Sequence, residues 1–239
     1  MPVVSRAAAI VPAAGRGTRI GAKTPKTFLD LGGVPLLART IGLLAASRRI
    51  DLIQPVLPRT HLARFRSGIL ARHRWDACRP AVAGGRERQD SVAIGLRALP
   101  DDVEYVVVHD GARPFATTAL VERVLAEARR HGAAIAAIPV QDTVKRVSAD
   151  LFLGVTVDRR GLWLAQTPQA FSVALLREAH ALARDSRFAG TDDAALVEAL
   201  GHPVRVVPGA RLNFKITTRE DLSLARMIVG CAAQPRRRA

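Results

Sequence analysis

Aromatic residues are scarce in this chain of 239 residues: seven Phe, two Trp and one Tyr amount to 4%. A core of any size must therefore be aliphatic, and the stacking platforms that grip single-stranded nucleic acid are poorly supplied. Cysteine is scarcer still. Cys78 and Cys231 fit no metal-ligand or disulfide spacing and read as free thiols of a reducing compartment, which sets the expectation of a cytoplasmic protein. No apolar run approaches the roughly 20 residues a membrane-spanning helix needs. The start of the chain resembles a signal peptide only superficially. Arg6 is followed by a short apolar run that Pro12 and Gly15 interrupt, so a buried first strand is the better reading. No membrane partner is expected.

Lysine is nearly absent as well. Of 36 basic residues only Lys23, Lys26, Lys145 and Lys215 are lysines; the rest are arginines scattered over the whole length. The net charge of +15 raises the possibility of nucleic-acid binding. That function calls for a basic stripe with interleaved aromatics, and neither is present, so no nucleic-acid partner is expected. Where arginine supplies generic charge, a lysine marks a place for a compact ammonium. A basic surface also suits an enzyme with phosphorylated substrates, because it raises their encounter rate.

Hydrophobic residues make up 49% of the chain, enough for a sizeable core. Continuous apolar, β-prone runs occur at 7–12, 52–57, 105–109, 133–138 and 204–207. Helical patterns occur at 35–47, 61–73, 88–99, 117–131, 173–185, 192–200 and 219–229, the last with Thr218 as its N-cap. Runs without alternation belong to strands covered on both faces, and strands alternating with helices give an α/β fold with a doubly wound, mostly parallel sheet. One domain over 1–233 is expected, with a basic tail at 234–239. Residues 139–161 break the pattern: they are polar, punctuated by Val144, Val147, Val155 and Val157, and long for a loop. They read as a protruding β-hairpin arm that packs on a second subunit, with a disordered surface loop as the alternative.

In such a sheet the chemistry sits in loops beyond the carboxyl ends of the strands. Directly after the first strand runs Pro12-Ala-Ala-Gly15-Arg16-Gly17-Thr18-Arg19, followed by Thr24-Pro25-Lys26. Glycines let the backbone approach an anion with its N–H groups turned inward, and Arg19 and Lys26 add two cations. The pattern is neither a P-loop nor a dinucleotide fingerprint, since Ile20 stands where the latter needs its third glycine. It suits a triphosphate. After the run 105–109 comes Asp110-Gly111-Ala112-Arg113-Pro114. A lone carboxylate there is a natural anchor for Mg²⁺, which takes one or two carboxylates and completes its shell with phosphate oxygens and water. Arg113 is suited to a bidentate phosphate grip, whereas His109 reads as a hydrogen-bonded packing residue. Weaker pieces are Gly84-Gly85-Arg86 with Ser91, Asp142-Thr143, Asp158-Arg159, Gln166-Thr167-Pro168-Gln169, Thr191-Asp192-Asp193 and Asn213-Phe214-Lys215.

Taken in order, P-A-A-G-x-G-x-R with P-K, G-G-x-x-R-x-x-S, V-H-D-x-A-R-P, D-T-x-K, T-P-Q and K-[IV]-T resemble the 2-C-methyl-D-erythritol 4-phosphate cytidylyltransferases of the non-mevalonate isoprenoid pathway, from about Ala7 to Met227. The first motif is shared with many sugar-phosphate nucleotidylyltransferases; the later ones are more specific. The resemblance implies a Rossmann-like nucleotidyltransferase that joins CMP from CTP to a polyol phosphate with Mg²⁺. It implies that Ala13, Ala14, Gly15 and Gly17 line the CTP pocket, with Gly84 and Ser91 on the base and ribose side. Asp110 positions the metal, with Gly111 nearby. Arg19, Lys26 and Lys215 form the catalytic set, the first two neutralising the triphosphate. Arg113, Thr143, Arg159, Thr167, Thr191 and Lys215 hold the polyol phosphate. It further implies a homodimer through the arm, with Arg159 serving the neighbour's site. Gly111 stands where relatives often carry Ala. Ribitol 5-phosphate is the alternative acceptor, and a sugar-1-phosphate nucleotidylyltransferase using another base is a third reading.

Overall fold

Consecutive residues of β1 (Ala7–Pro12) point into opposite halves of the molecule. Ala7, Ala9 and Val11 join one apolar cluster, and Ala8 and Ile10 join another. The computed structural model describes residues 5–15 and 25–233, so Gly17, Arg19 and the tail 234–239 lie outside the described residues. The chain continues through α1 (Leu36–Ala45), β2 (Leu52–Leu57), α2 (Leu62–Phe65), β3 (Val82–Ala83), α3 (Arg88–Arg97), β4 (Tyr105–Val108), α4 (Thr118–His131) and β5 (Ala133–Pro139). It then passes through β6 (Val144–Val147), β7 (Leu153–Val157), β8 (Trp163–Ser172), α5 (Val173–Asp185), α6 (Asp193–Ala199), β9 (Arg205–Pro208) and α7 (Arg219–Ala233).

Seven of these strands form one sheet in the order β3-β2-β1-β4-β8-β5-β9, parallel throughout except for β8, which runs antiparallel to both β4 and β5. Helices α1, α2 and α4 cover one face around Leu37, Ile41, Phe65 and Val121. Helices α3, α5 and α6 cover the other around Val92, Leu96, Leu176 and Leu196. A third cluster packs α7 through Leu222 and Ala225 onto Leu31, Leu36 and Ile216. The α/β, mostly parallel expectation is met. No helix among the described residues is long and apolar enough to cross a membrane.

The helices begin where side chains take up free N–H groups. Thr117 accepts from Leu120 N at 3.1 Å, Ser172 from Leu175 N at 3.3 Å and Asp192 from Ala195 N at 2.9 Å. Thr218 and Asp221 form a reciprocal capping pair at the head of α7, with bonds of 3.2 and 2.8 Å. Gly132 ends α4 at φ 81°, a conformation glycine adopts without strain.

Two strands of the seven-stranded sheet have no counterpart among the apolar runs. β8 carries Gln166, Thr167, Pro168 and Gln169 at its centre, so neither an apolar run nor an alternation marks it, although it is the strand between β4 and β5. β3 is a two-residue edge strand. The expected helix 61–73 is built from three pieces: a 3₁₀ turn at Arg59–His61, α2, and a π-helical turn at Arg66–Leu70. Within 139–161, β6 and β7 form the expected hairpin and, among the described residues, pair only with each other. Its far end is strongly exposed: Leu151 is 85%, Phe152 74% and Leu153 72% exposed.

Candidate active site

Strand order reverses at β1. The chain runs from β1 outward to β2 and β3, then returns to place β4 on the other side of β1. In open α/β sheets the crevice beyond the carboxyl ends at this reversal is where ligands bind. A cavity of about 300 Å³ lies there, lined by the loops after β1, β3 and β4, the turn at Lys26, the head of α3 and the segment before α7. Its described lining includes the cations Lys26, Arg86, Arg88 and Lys215 against the carboxylates Glu87 and Asp110. An excess of positive charge in a concave site draws and holds an anion.

The backbone of the cleft is sewn together across three strands. Ala13 N donates to Val56 O at 2.8 Å, Gly84 N to Leu57 O at 2.7 Å and Gly111 N to Pro12 O at 3.3 Å. Two glycines permit the close approach. A Cβ on Gly84 would lie 2.5 Å from the Ala14 Cβ and 2.8 Å from the Ser91 Oγ, and a Cβ on Gly111 would lie 2.9 Å from the Ala13 Cβ. Lys26 opens a 3₁₀ turn whose Phe28 is buried under the Arg64 guanidinium at 4.6 Å and beside the His61 ring at 5.6 Å.

Asp110 is the electrostatic centre. It follows β4 and its side chain is 8% exposed, yet it faces three cations: Lys215 Nζ at 2.8 Å and Arg113 Nε at 3.6 Å on Oδ2, and Arg88 Nε at 3.2 Å on Oδ1. Burial alone pushes the carboxyl pKa up. Arg88, Lys215 and Arg113 outweigh it and hold the group well below the usual carboxylate range. Arg88 reaches onward to Asp193 Oδ2 at 2.8 Å, a carboxylate only 1% exposed, and Asp193 Oδ1 faces His180 Nε2 at 3.5 Å. Burial opposes the charge on Arg88, but Asp193 and Asp110 offset it and raise its pKa further.

Behind Asp110 lies a fixed hydrogen-bond chain. The Arg113 carbonyl can only accept, so His109 Nε2 donates to it at 3.0 Å. Nδ1 then accepts from the Thr167 hydroxyl at 3.1 Å, and that hydroxyl accepts from Asp110 N at 3.0 Å. Burial depresses the His109 pKa to about 4, consistent with a neutral ring. His109 is thus the hydrogen-bonded packing residue expected. Asn213 Nδ2 donates to Thr167 O at 2.8 Å and to Gln166 Oε1 at 3.2 Å, and Ile216 N donates to Ala112 O at 2.9 Å. These bonds fix the segment that presents Lys215.

The structure therefore brings Ala13, Ala14, Gly15, Lys26, Ser91, Asp110, Gly111 and Lys215 into one lining, with Gly84 directly behind it. Thr143 and Arg159 are exposed on the arm, where the Arg159 guanidinium donates to Gln141 O. Thr191 is exposed two residues before α6. Thr167 is buried in its chain of bonds. Arg113 turns inward with its side chain 12% exposed, Nε 3.6 Å from Asp110 Oδ2 and Nη1 donating to Asn213 O at 2.7 Å. Arg88, the arginine of G-G-x-x-R-x-x-S, and Asp193 have no role that their sequence positions announce. Their roles depend on a pairing across 105 residues that only the fold creates.

The match to a family model over residues 7–231 decides the relationship. The chain belongs to the 2-C-methyl-D-erythritol 4-phosphate cytidylyltransferase family. A cytidylyltransferase of that name from Syntrophus aciditrophicus is 48% identical over 217 residues, 91% of this chain and 93% of the relative. One from Geobacter metallireducens is 46% identical over 224 residues, 92% and 96% of the two chains. Among solved structures, the 2-C-methyl-D-erythritol 4-phosphate cytidylyltransferase of Thermus thermophilus aligns with a TM-score of 0.77 at 41% identity, covering 94% of this chain and 99% of that one. The 4-diphosphocytidyl-2C-methyl-D-erythritol synthase of Anaerococcus prevotii aligns with a TM-score of 0.84 at 32% identity, covering 95% and 97%. Cytidylyltransferases of this family thus match the chain over nearly its whole described length.

Proposed function

We propose that the chain transfers CMP from CTP to 2-C-methyl-D-erythritol 4-phosphate, releasing pyrophosphate and forming 4-diphosphocytidyl-2-C-methyl-D-erythritol, the cytidylylation step of the non-mevalonate isoprenoid pathway. The observation that carries this reading is the cation-lined cleft at the strand-order reversal, with Asp110 held between Arg88 and Lys215, in a chain of this family.

The acceptor's phosphate monoester is already anionic at neutral pH, so attack by one of its oxygens on the α-phosphorus of CTP needs no general base. The bond from α-phosphorus to the bridging oxygen breaks and pyrophosphate leaves. Catalysis rests on in-line positioning and charge neutralisation. Lys26 and Lys215 line the cleft wall, where they would meet phosphate oxygens, with Arg19 as the further cation assigned to the triphosphate. Ala13, Ala14 and Gly15 offer backbone at the anion, and Gly84 leaves room beside Ser91 for the base and ribose. Arg113, Thr143, Arg159, Thr167 and Thr191 remain the acceptor-side set. The donor set suits a divalent ion borne by the nucleotide. Asp110 is a single carboxylate in the cleft wall, and among the described residues no group of three or more His, Cys, Asp or Glu is gathered for a metal. Asp110 would hold Mg²⁺, which supplies neutralising charge to the phosphates. The exposed Leu151, Phe152 and Leu153 at the arm's end support a homodimer in which the arm crosses to a partner.

The test is pyrophosphate release with CTP and Mg²⁺, comparing 2-C-methyl-D-erythritol 4-phosphate with ribitol 5-phosphate. Release with the first acceptor alone is expected. Release chiefly with ribitol 5-phosphate would replace the acceptor, and silence with both from folded protein would overturn the reading.

A further inference from the structure

The first turn of α3 touches two regions. On one side Arg86, Glu87, Arg88 and Ser91 line the nucleotide cleft. On the other, the next residue, Gln89, grips the segment before α6: its Oε1 accepts from Gly190 N at 3.1 Å and its Nε2 donates to Phe188 O at 3.2 Å. The same segment is tied twice more. Asp192 Oδ2 accepts from Gln169 Nε2 at 2.7 Å, and Asp193 pairs with Arg88 at 2.8 Å. Residues 188, 190, 192 and 193 are therefore each anchored, and three of the four anchors come from two consecutive residues of α3. Thr191 lies between these anchors and is exposed.

We propose that Gln89 is a positioning residue for the acceptor: the head of α3, through Arg88 and Gln89, sets the 188–193 segment so that Thr191 is presented to the polyol phosphate. The proposal rests on the cytidylyltransferase reading and on Thr191 belonging to the acceptor side. Arg88 serves both halves, since one guanidinium holds Asp110 in the cleft and Asp193 behind it. Gln89 serves only the acceptor half, because it does not line the nucleotide cleft.

Steady-state kinetics on Gln89→Ala separates these roles. Losing two side-chain bonds to the segment's backbone is expected to raise KM for 2-C-methyl-D-erythritol 4-phosphate roughly five- to tenfold. KM for CTP, kcat and calorimetric CTP affinity without acceptor should stay within about twofold. Gln89→Glu keeps the acceptor atom for Gly190 N–H but loses the donor to Phe188 O, and is expected to fall between the two. An unchanged acceptor KM in Gln89→Ala would overturn the clamp. So would an equal rise in both KM values accompanied by a lower Tm, which is the signature of general loosening. Inactivity of the wild-type chain would overturn the functional reading with it, whereas an active wild type beside a kinetically silent variant removes the clamp alone.

Discussion

The cleft and the arm are built on opposite principles. In the cleft, charged side chains are withdrawn from water and matched: Asp110, 8% exposed, faces Lys215, Arg88 and Arg113, and Arg88 in turn reaches the fully buried Asp193. In the arm, apolar side chains are left in water and unmatched, with Leu151, Phe152 and Leu153 all more than two-thirds exposed. Buried charges without partners cost several kcal/mol, and in the cleft's ion cluster those partners all come from the same chain. Exposed apolar groups cost the monomer little, and their excess is removed only by association. The contrast predicts large effects on activity and stability from small changes in the cleft, and almost none on the stability of the single chain from large changes in the arm.

The strongest test of the cleft is Lys26→Ala. The charge contact proposed at the triphosphate is removed, and turnover is expected to fall by about 10²–10³; near-normal kcat would remove Lys26 from the catalytic set. Asp110→Asn follows. It keeps the shape but leaves Lys215, Arg113 and part of Arg88 without their shared counter-charge. A loss of about 3 kcal/mol in denaturant unfolding is expected, together with a large drop in turnover. A variant as stable as wild type would mean that the ion cluster is solvated in solution and does not behave as the buried network described.

His109 gives the cleft a pH signature. Burial lowers its pKa to about 4, below its ordinary 6.5. In that window the unfolded chain binds a proton that the folded chain refuses. Stability is therefore whole above pH 6.5 and falls as pH drops toward 4, by up to about 1.4 kcal/mol per pH unit. In His109→Gln that part of the acid slope should vanish. An unchanged slope between pH 6.5 and 4 would show that the ring accepts a proton in place.

How much of this was legible in the sequence follows from where each signal is stored. Ala7–Pro12 and Leu52–Leu57 are strands covered on both faces, and such strands show themselves as plain apolar runs. Caps are local signals: Thr218, legible as an N-cap in the sequence, stands directly before α7, and the helical patterns that start at 117 and 192 begin on the residues the structure shows capping α4 and α6. The central antiparallel strand Trp163–Ser172 was invisible because Gln166, Thr167 and Gln169 are buried for their hydrogen bonds to Ala210, His109 and Asp192 rather than for hydrophobicity. The same holds for the site. Gly15, Lys26, Asp110 and Lys215 stand in motifs that name their chemistry, whereas the Arg88–Asp193 pair and the Gln89 bonds join residues about a hundred positions apart. Such pairings exist only after the strand order has placed α3 beside α6.

The cavity wall offers a finer test. Gly84→Ala puts a methyl group 2.5 Å from the Ala14 Cβ and 2.8 Å from the Ser91 Oγ, neither of which is a flexible chain end. Either Ala14 or the head of α3 must shift, and both line the cleft. A rise of about tenfold in KM for CTP is expected with a stability loss of about 1–3 kcal/mol. Unchanged CTP binding would place the nucleotide elsewhere in the cleft.

The smallest expected effect closes the comparison from the other side. Replacing Leu151, Phe152 and Leu153 together by Ser deletes three large apolar side chains, a change that in the core would unfold a domain of this size. In the arm each is at least 72% exposed, and the hairpin's bonds, which include backbone pairs, a Lys145–Thr156 contact and the Phe152 N–H donated to Ser148 Oγ, use no side-chain atom of the three residues. Unfolding of the dilute chain should therefore change by no more than about 0.5 kcal/mol per position. Sedimentation at higher concentration should show the proposed dimer weakened, with activity falling alongside it because Thr143 and Arg159 sit on the same hairpin arm. A large loss of stability in the isolated chain would mean that the arm folds back on its own domain, and the division between a self-sufficient cleft and a borrowed arm would fail.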